Sequence, residues 1–316
     1  MRTIEQTLQV QAEAAVHKVH GLREPLRFTI SGMLGGAYVG VAVVLMLNVA
    51  GPLIAAGTGA GKLVSGLVFG VALTLVVFAG AELVTSSMMT LTQGTLMRVA
   101  RPGRAAGALS FTFLANLLGA AVFGALVAIS GVLHSNPAAG EMLTDMLAAK
   151  AGEHPLELFA RGILCNTLVC LGIWMCARLK SDVAKLAVLF WALLAFVASG
   201  FEHVVANMTT YTLGLMTGDP NATWVLFGSN LLWVGLGNLV GGALVVGLSY
   251  WVIGGSPRAV IDNEPTDAAS PALDAAPAAP QLTVAASDRH VTGTIRLART
   301  TRGSGRRRDT RSRTPR

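Results

Sequence analysis

Apolar residues gather in six stretches, 28–53, 63–97, 105–133, 156–177, 183–215 and 223–253, each long enough to cross a hydrocarbon core about 30 Å thick. The pattern predicts an all-α membrane protein with six transmembrane helices. The second and fifth stretches are too long and too polar at their centres for plain spans, because each carries a G-x-E, Gly80-Ala81-Glu82 and Gly200-Phe201-Glu202. A carboxylate at membrane depth costs several kcal/mol unless it is paired or hydrogen-bonded. Both glutamates should therefore face protein or a water-filled cavity, and helices 2 and 5 should be broken there.

The two breaks are copies. A shift of 120 residues brings Leu73, Val77, Gly80, Glu82, Met88, Thr90, Thr92 and Gly94 onto Leu193, Val197, Gly200, Glu202, Met208, Thr210, Thr212 and Gly214. A shift of 122 lays Asn116-Leu117-Leu118-Gly119 on Asn238-Leu239-Val240-Gly241, and one of 130 lays Gly32 and Leu34 on Gly162 and Leu164. Three spans are thus repeated, and an odd number per repeat forces the halves into opposite orientations. Inverted repeats with broken helices at matching positions are a transport design, since half-helix ends carry unsatisfied backbone groups and partial charge to the midplane.

Composition agrees with a membrane chain: 53% of the 316 residues are hydrophobic and 13% charged, half the charge of an average soluble domain. Of the net charge of +7, the segment 255–316 supplies +5 through eleven Arg against six acidic residues. That segment is rich in Pro, Ala and Asp without apolar periodicity, and reads as a disordered basic tail rather than a nucleic-acid-binding face. Its arginines would serve as a polybasic contact with anionic lipid or an acidic partner, or simply as a solvated tail. Residues 1–27 read as an amphipathic helix and 28–254 as the transport domain. Near the span ends, ten Lys and Arg (positions 2, 18, 23, 27, 98, 101, 104, 178, 180 and 185) fall on one side against Lys62, Lys150 and Arg161 on the other, which places both termini in the cytoplasm.

Few side chains offer chemistry. His203 follows the second G-x-E and is the sole histidine in a predicted span. It could exchange a proton or hydrogen-bond with a permeant species, or be tied to Thr, Asn or backbone to satisfy a buried loop. Lys150 stands in an acidic outer loop with Glu141, Asp145, Glu153 and Glu157. It could draw anions, or pair with Glu153 or Glu157 in solvent. Thr85, Asn166, Asn207, Asn230 and Asn238 are small polar residues at membrane depth, while Phe69, Leu73, Val84 and Phe196 lie near the breaks as constrictions or ordinary packing. Cys165, Cys170 and Cys176 fit no metal or disulfide spacing and read as packing residues. Gly57-Thr58-Gly59-Ala60-Gly61-Lys62 only approaches a P-loop, lacking the first Gly and the final Ser/Thr. No metal cluster, cofactor motif or nucleophile–base pair is present, so an enzyme is not expected.

The segments Gly80-Ala81-Glu82-Leu83-Val84-Thr85, Leu164-Cys165-Asn166-Thr167-Leu168-Val169-Cys170, Gly200-Phe201-Glu202-His203-Val204-Val205-Ala206-Asn207-Met208 and Gly237-Asn238-Leu239-Val240-Gly241-Gly242 resemble the formate/nitrite transporter family over residues 10–253. The wording around Cys165 and Asn207 looks most like its nitrite branch. The resemblance implies an aquaporin-like protomer in a homopentamer of the bacterial inner membrane, each protomer with its own pore and no cofactor. It implies that His203 is the central pore histidine, Thr85 the hydroxyl facing it, Lys150 the vestibule lysine, and Asn166, Glu202 and Asn207 the supporting polar groups. Phe69, Leu73, Leu83 and Phe196 match the hydrophobic slits, and Val84 stands where formate-type members usually carry Phe. On this reading nitrite or formate is drawn to Lys150, gains a proton at or before His203, and crosses as neutral acid. The rivals are a pore for neutral solutes such as glycerol, and a membrane-anchored sensor or scaffold acting through the tail.

Overall fold

The computed structural model describes residues 1–258; the basic tail from 259 onward lies outside them. Among the described residues every element is helical. The chain opens with α1 (Ile4–Gly21), capped by Thr3 and Gln6 in a reciprocal capping box, and turns into α2 (Pro25–Ala55), which has Pro at its start. Next come α3 (Gly61–Phe69) and α4 (Val71–Phe78), a break, and α5 (Val84–Leu96). The first half closes with α6 (Pro102–Ser130). After α7 (Val132–Ser135) and α8 (Pro137–Gly152), the second half runs α9 (Pro155–Arg178), α10 (Asp182–Ala198), a break, and α11 (Val204–Thr217). It ends with α12 (Trp224–Leu239), which continues as a π-helical segment, Val240–Leu248, and α13 (Ser249–Ile253). Five of these runs are long and apolar enough to cross a membrane: Pro25–Ala55, Gly61–Phe78, Pro102–Ser130, Pro155–Arg178 and Trp224–Ile253. The fifth predicted stretch is divided between α10 and α11.

Both breaks are built in the same way. At each, a glycine adopts the left-handed conformation that side chains disfavour, Gly80 at φ 78° and Gly200 at φ 74°. The next N–H reaches back to close the finished helix, Ala81 to the Val76 carbonyl at 2.9 Å and Phe201 to the Phe196 carbonyl at 3.1 Å, as in a glycine-terminated Schellman ending. After three non-helical residues, the last of them extended, a new helix begins, and an asparagine from a neighbouring span caps it. Asn116 Oδ1 accepts from Val84 N–H at 2.9 Å while its Nδ2 donates to the Gly32 and Glu82 carbonyls at 2.7 and 2.8 Å. Asn238 Oδ1 accepts from Val204 N–H at 2.9 Å, and its Nδ2 donates to the Gly162 and Glu202 carbonyls at 2.8 and 2.9 Å. Each break is pinned further by its glutamate N–H, Glu82 to the Ser31 carbonyl and Glu202 to the Arg161 carbonyl.

Close helix crossings bring those asparagines within reach. A Cβ on Gly119 of α6 would stand 1.9 Å from the Met33 carbonyl oxygen of α2, and one on Gly241 would stand 2.3 Å from the Ile163 carbonyl oxygen of α9. Backbone contact of this kind needs small residues, as membrane helices commonly use. Around the breaks the core is apolar and continuous, with Leu73, Leu83, Val84, Leu193, Val204 and Met208 all buried.

Two readings of Lys150 need correction. Lys150 does not stand in a loop: residues 137–152 form α8, packed on α2 and α11, and Pro137 at its first turn suits a helix start. Nor is Lys150 paired with Glu153 or Glu157. The last span contains a π-helical segment, Val240–Leu248, that the sequence pattern does not announce.

Candidate functional site

The α5 and α11 half-helices begin beside one another. Thr85, in the first turn of α5, and His203, the N-cap of α11, are both buried, and Thr85 Oγ1 lies 3.1 Å from His203 Nε2. His203 Nδ1 accepts the Ala206 N–H at 3.2 Å, so in the neutral ring the proton sits on Nε2 and that nitrogen donates to Thr85. The histidine thus caps a helix and also presents a ring N–H to a hydroxyl. Two helix N-termini meeting here bring roughly half a positive charge each, which favours an anion or a neutral polar group and disfavours an imidazolium.

Asn166 secures Thr85 from the far side. Its Nδ2 donates to the Thr85 carbonyl at 3.1 Å and to the Asn238 carbonyl at 2.6 Å, joining the pair to the cap of α11. Phe196 lies over the His203 ring, with centroids 6.0 Å apart and planes 24° from parallel, and Phe69 meets Phe196 edge-on at 5.7 Å. One aromatic ring therefore covers the imidazole and a second backs it.

A cleft of about 380 Å³ runs to these rings, lined by Phe69, Phe196, Lys150, Glu202, His203 and Asn207 among others. Lys150 Nζ donates to both Glu202 oxygens, at 2.5 and 2.6 Å. Asn207 Nδ2 adds a third donor to Glu202 Oε2 at 2.6 Å and also reaches Asn230 Oδ1 at 2.8 Å. Leu73, Leu83 and Val84 are buried in the same core, yet they do not line this cleft, and neither do Thr85 and Asn166. Eight of the eleven residues singled out from sequence are linked by direct contacts into two groups, Thr85, His203, Phe196, Phe69 and Asn166 around the ring and Lys150 with Glu202 and Asn207 at the cleft.

Two partners escaped the sequence reading. Lys18 of α1 forms an ion pair with Glu82, so each break glutamate is held by one lysine from the helix preceding its half. Asn116 is the counterpart of Asn238 in every hydrogen bond. The signal for Asn116 lay in the 122-residue register. For Lys18 a register of 132 onto Lys150 was available, but nothing in a helix with several other charges separates it from an ordinary membrane-flanking lysine. Among the described residues no group of three His, Cys, Asp or Glu side chains could hold a metal ion, and the three cysteines are buried and free.

A family model described as formate/nitrite transporter matches residues 5–252. The nitrite transporter NirC of Escherichia coli (strain K12) is 40% identical over 228 residues, covering 72% of this chain and 83% of NirC. A solved FNT family ion channel superposes with a TM-score of 0.73 at 36% identity, covering 78% of this chain and 98% of that one. A pentameric formate channel with formate bound superposes at 0.62 with 28% identity, covering 73% and 98%. These relatives are channels and transporters rather than enzymes. With its duplicated helix breaks and its match over nearly all the described residues, the chain belongs to the formate/nitrite transporter family.

Proposed function

We propose that this chain is a channel for small monovalent weak-acid anions, nitrite foremost, in a bacterial inner membrane. It has six crossings in two inverted halves, both termini in the cytoplasm, and five copies each with its own pore. The pore is residues 28–254, with 1–27 as a cytoplasmic helix and 255–316 as a basic cytoplasmic tail. The observation that carries the reading is the Thr85–His203 pair where two half-helix N-termini meet, beneath Phe69 and Phe196 and next to a lysine-bearing cleft. Nitrite is favoured over formate by the 40% identity to NirC, against 31% to the formate channel FocA of Escherichia coli (strain K12).

The physical sequence is short. Lys150, held by Glu202, which Asn207 in turn supports, draws the anion into the cleft from outside. Leu73, Leu83, Val84, Phe69 and Phe196 form the apolar constrictions, where a bare anion would be heavily penalised. The anion therefore takes up a proton at or before His203 and continues as neutral acid. His203 Nε2–H and the Thr85 hydroxyl offer it hydrogen bonds, with Asn166 holding Thr85 in place. The acid carries its proton through and releases it on the far side, so uptake is proton-coupled. Passage as an anion needs the other state of the ring, in which Nδ1 surrenders the Ala206 N–H to take a proton. Lys18 with Glu82 gives the cytoplasmic end the same charged pair.

Nitrite and formate flux into proteoliposomes, measured at two pH values with glycerol swelling as the control, tests this. His203→Asn should lower nitrite flux at least about tenfold and weaken its pH dependence, the scale of losing a positioned acid–base group. Unchanged flux and pH profile would exclude a protonic role, and rapid glycerol swelling would favour a neutral-solute pore.

A further inference from the structure

The cleft holds a second carboxylate whose surroundings are opposite to those of Glu202. Glu153, the residue that ends α8, is paired through Oε1 with Arg161 of α9. Its other oxygen, Oε2, is buried and meets no donor. Glu202, in contrast, receives three donor contacts, two from Lys150 and one from Asn207. An ionised carboxylate needs donors on both oxygens, and one left bare in a buried setting is better satisfied with a proton on it. Two carboxylates in one cleft thus differ in what holds them: Glu202 is ringed by donors, while Glu153 keeps one oxygen free to take a proton.

Six charged side chains line the cleft: Lys62 on α3, Asp145 and Lys150 on α8, Glu153 at its end, Arg161 on α9 and Glu202 at the second break. Three positive and three negative charges cancel. Protonating Glu153 leaves a surplus of one positive charge and frees the Arg161 guanidinium, which is 41% exposed and so reachable from water. We propose that Glu153 is a proton-binding residue of the cleft mouth, and that its protonation hands Arg161 to the arriving anion. The inference rests on the anion-channel reading above and adds to it a residue that sets anion capture.

The electrostatics around Glu153 act in the required direction. Burial raises its pKa above the usual 4.5, and the charges of Glu202 and Glu157 raise it further, against Arg161 and Lys150, which lower it. Anion capture and the supply of protonated acid would then strengthen together as the outside becomes acid. Nothing in this scheme asks His203 to change charge.

Nitrate is a suitable probe, because this anion of a strong acid keeps its charge at every pH of interest and reports only the protein's titration. In proteoliposomes of the full chain, nitrate should compete with nitrite more tightly by about three- to tenfold at pH near 5 than near 8, the effect of one added charge close by at a solvated mouth. Glu153→Gln should hold the tight value at both pH values, and Glu153→Asp should restore the dependence. Infrared difference spectra between acid and alkaline buffer should contain a carboxylic C=O band that Glu153→Gln removes. If that variant keeps both the band and the pH-dependent competition, the inference is overturned while the channel reading stands. If the wild type shows the band but passes no nitrite, the channel reading fails and the capture role fails with it.

Discussion

At the scale of single residues, the site is a set of buried charges whose partners decide their state. Lys150 and Glu202 are each 8% exposed, and removing one partner of such a pair strands the other charge. Lys150→Met should therefore cost about 3–5 kcal/mol in thermal unfolding of the detergent-solubilised protein. The double variant Lys150→Met, Glu202→Gln should recover most of it, while nitrite capture stays impaired in both. Glu153 gives a second test with a defined sign. Its folded-state pKa is raised, so its stabilising contribution is fully present below about pH 4.5 and is lost as pH rises through the raised folded value. Glu153→Gln should remove that decline, and melting curves across this window would show it as a smaller fall in Tm for the variant than for the wild type. His203 and Glu202 were legible in sequence because charge and imidazole at membrane depth are conspicuous. Lys18 was not, since its meaning comes from a glutamate sixty-four positions away.

Elements explain why the breaks fall where they do. A left-handed glycine ends one half-helix, a short non-helical stretch with an extended last residue follows, and a distant asparagine amide starts the next. Gly80→Ala and Gly200→Ala should each cost about 1–2 kcal/mol through the left-handed backbone. Asn238→Ala should cost more, about 2–4 kcal/mol, because Val204 N–H and the Gly162 and Glu202 carbonyls would all lose their partner in a buried site. Asn116→Ala should match it if the halves are energetically equivalent, and unfolding of the paired variants measures this directly. The repeat was readable because the residues that recur, Gly80 with Gly200, Glu82 with Glu202 and Asn116 with Asn238, are the ones that build the break. What did not recur was hidden: α8 has no apolar run to distinguish it from a loop, and the π-helical turn at Val240–Leu248 carries no periodicity of its own. Its glycines answer to packing instead, for a Cβ on Gly242 would lie 2.6 Å from Asn166 Nδ2.

For the whole molecule, the question is which parts the pore requires. Every residue placed in the path lies between Lys18 and Asn207, and the caps and crossings that support them end with the last helix at Ile253. Outside the core, α6 carries a stripe of exposed Leu114, Leu118, Val122, Leu126 and Ile129, at the spacing of one helix face, a surface for lipid or for neighbouring copies rather than for water. Neither function draws on the tail. The last described contact in that direction is Trp251 Nε1 donating to the Pro257 carbonyl at 3.1 Å, so truncation after Arg258 leaves it intact. That truncation removes ten arginines and six acidic residues, most of the chain's excess charge, without touching any group described in the path. Nitrite flux per protein in proteoliposomes should stay within about twofold of the full chain, the variation that surface changes away from a site produce, and the oligomer measured by light scattering should be the same. A scaffold acting through its basic segment would instead lose its role on truncation, and a flux that collapsed with the tail would show that the pore is not self-contained.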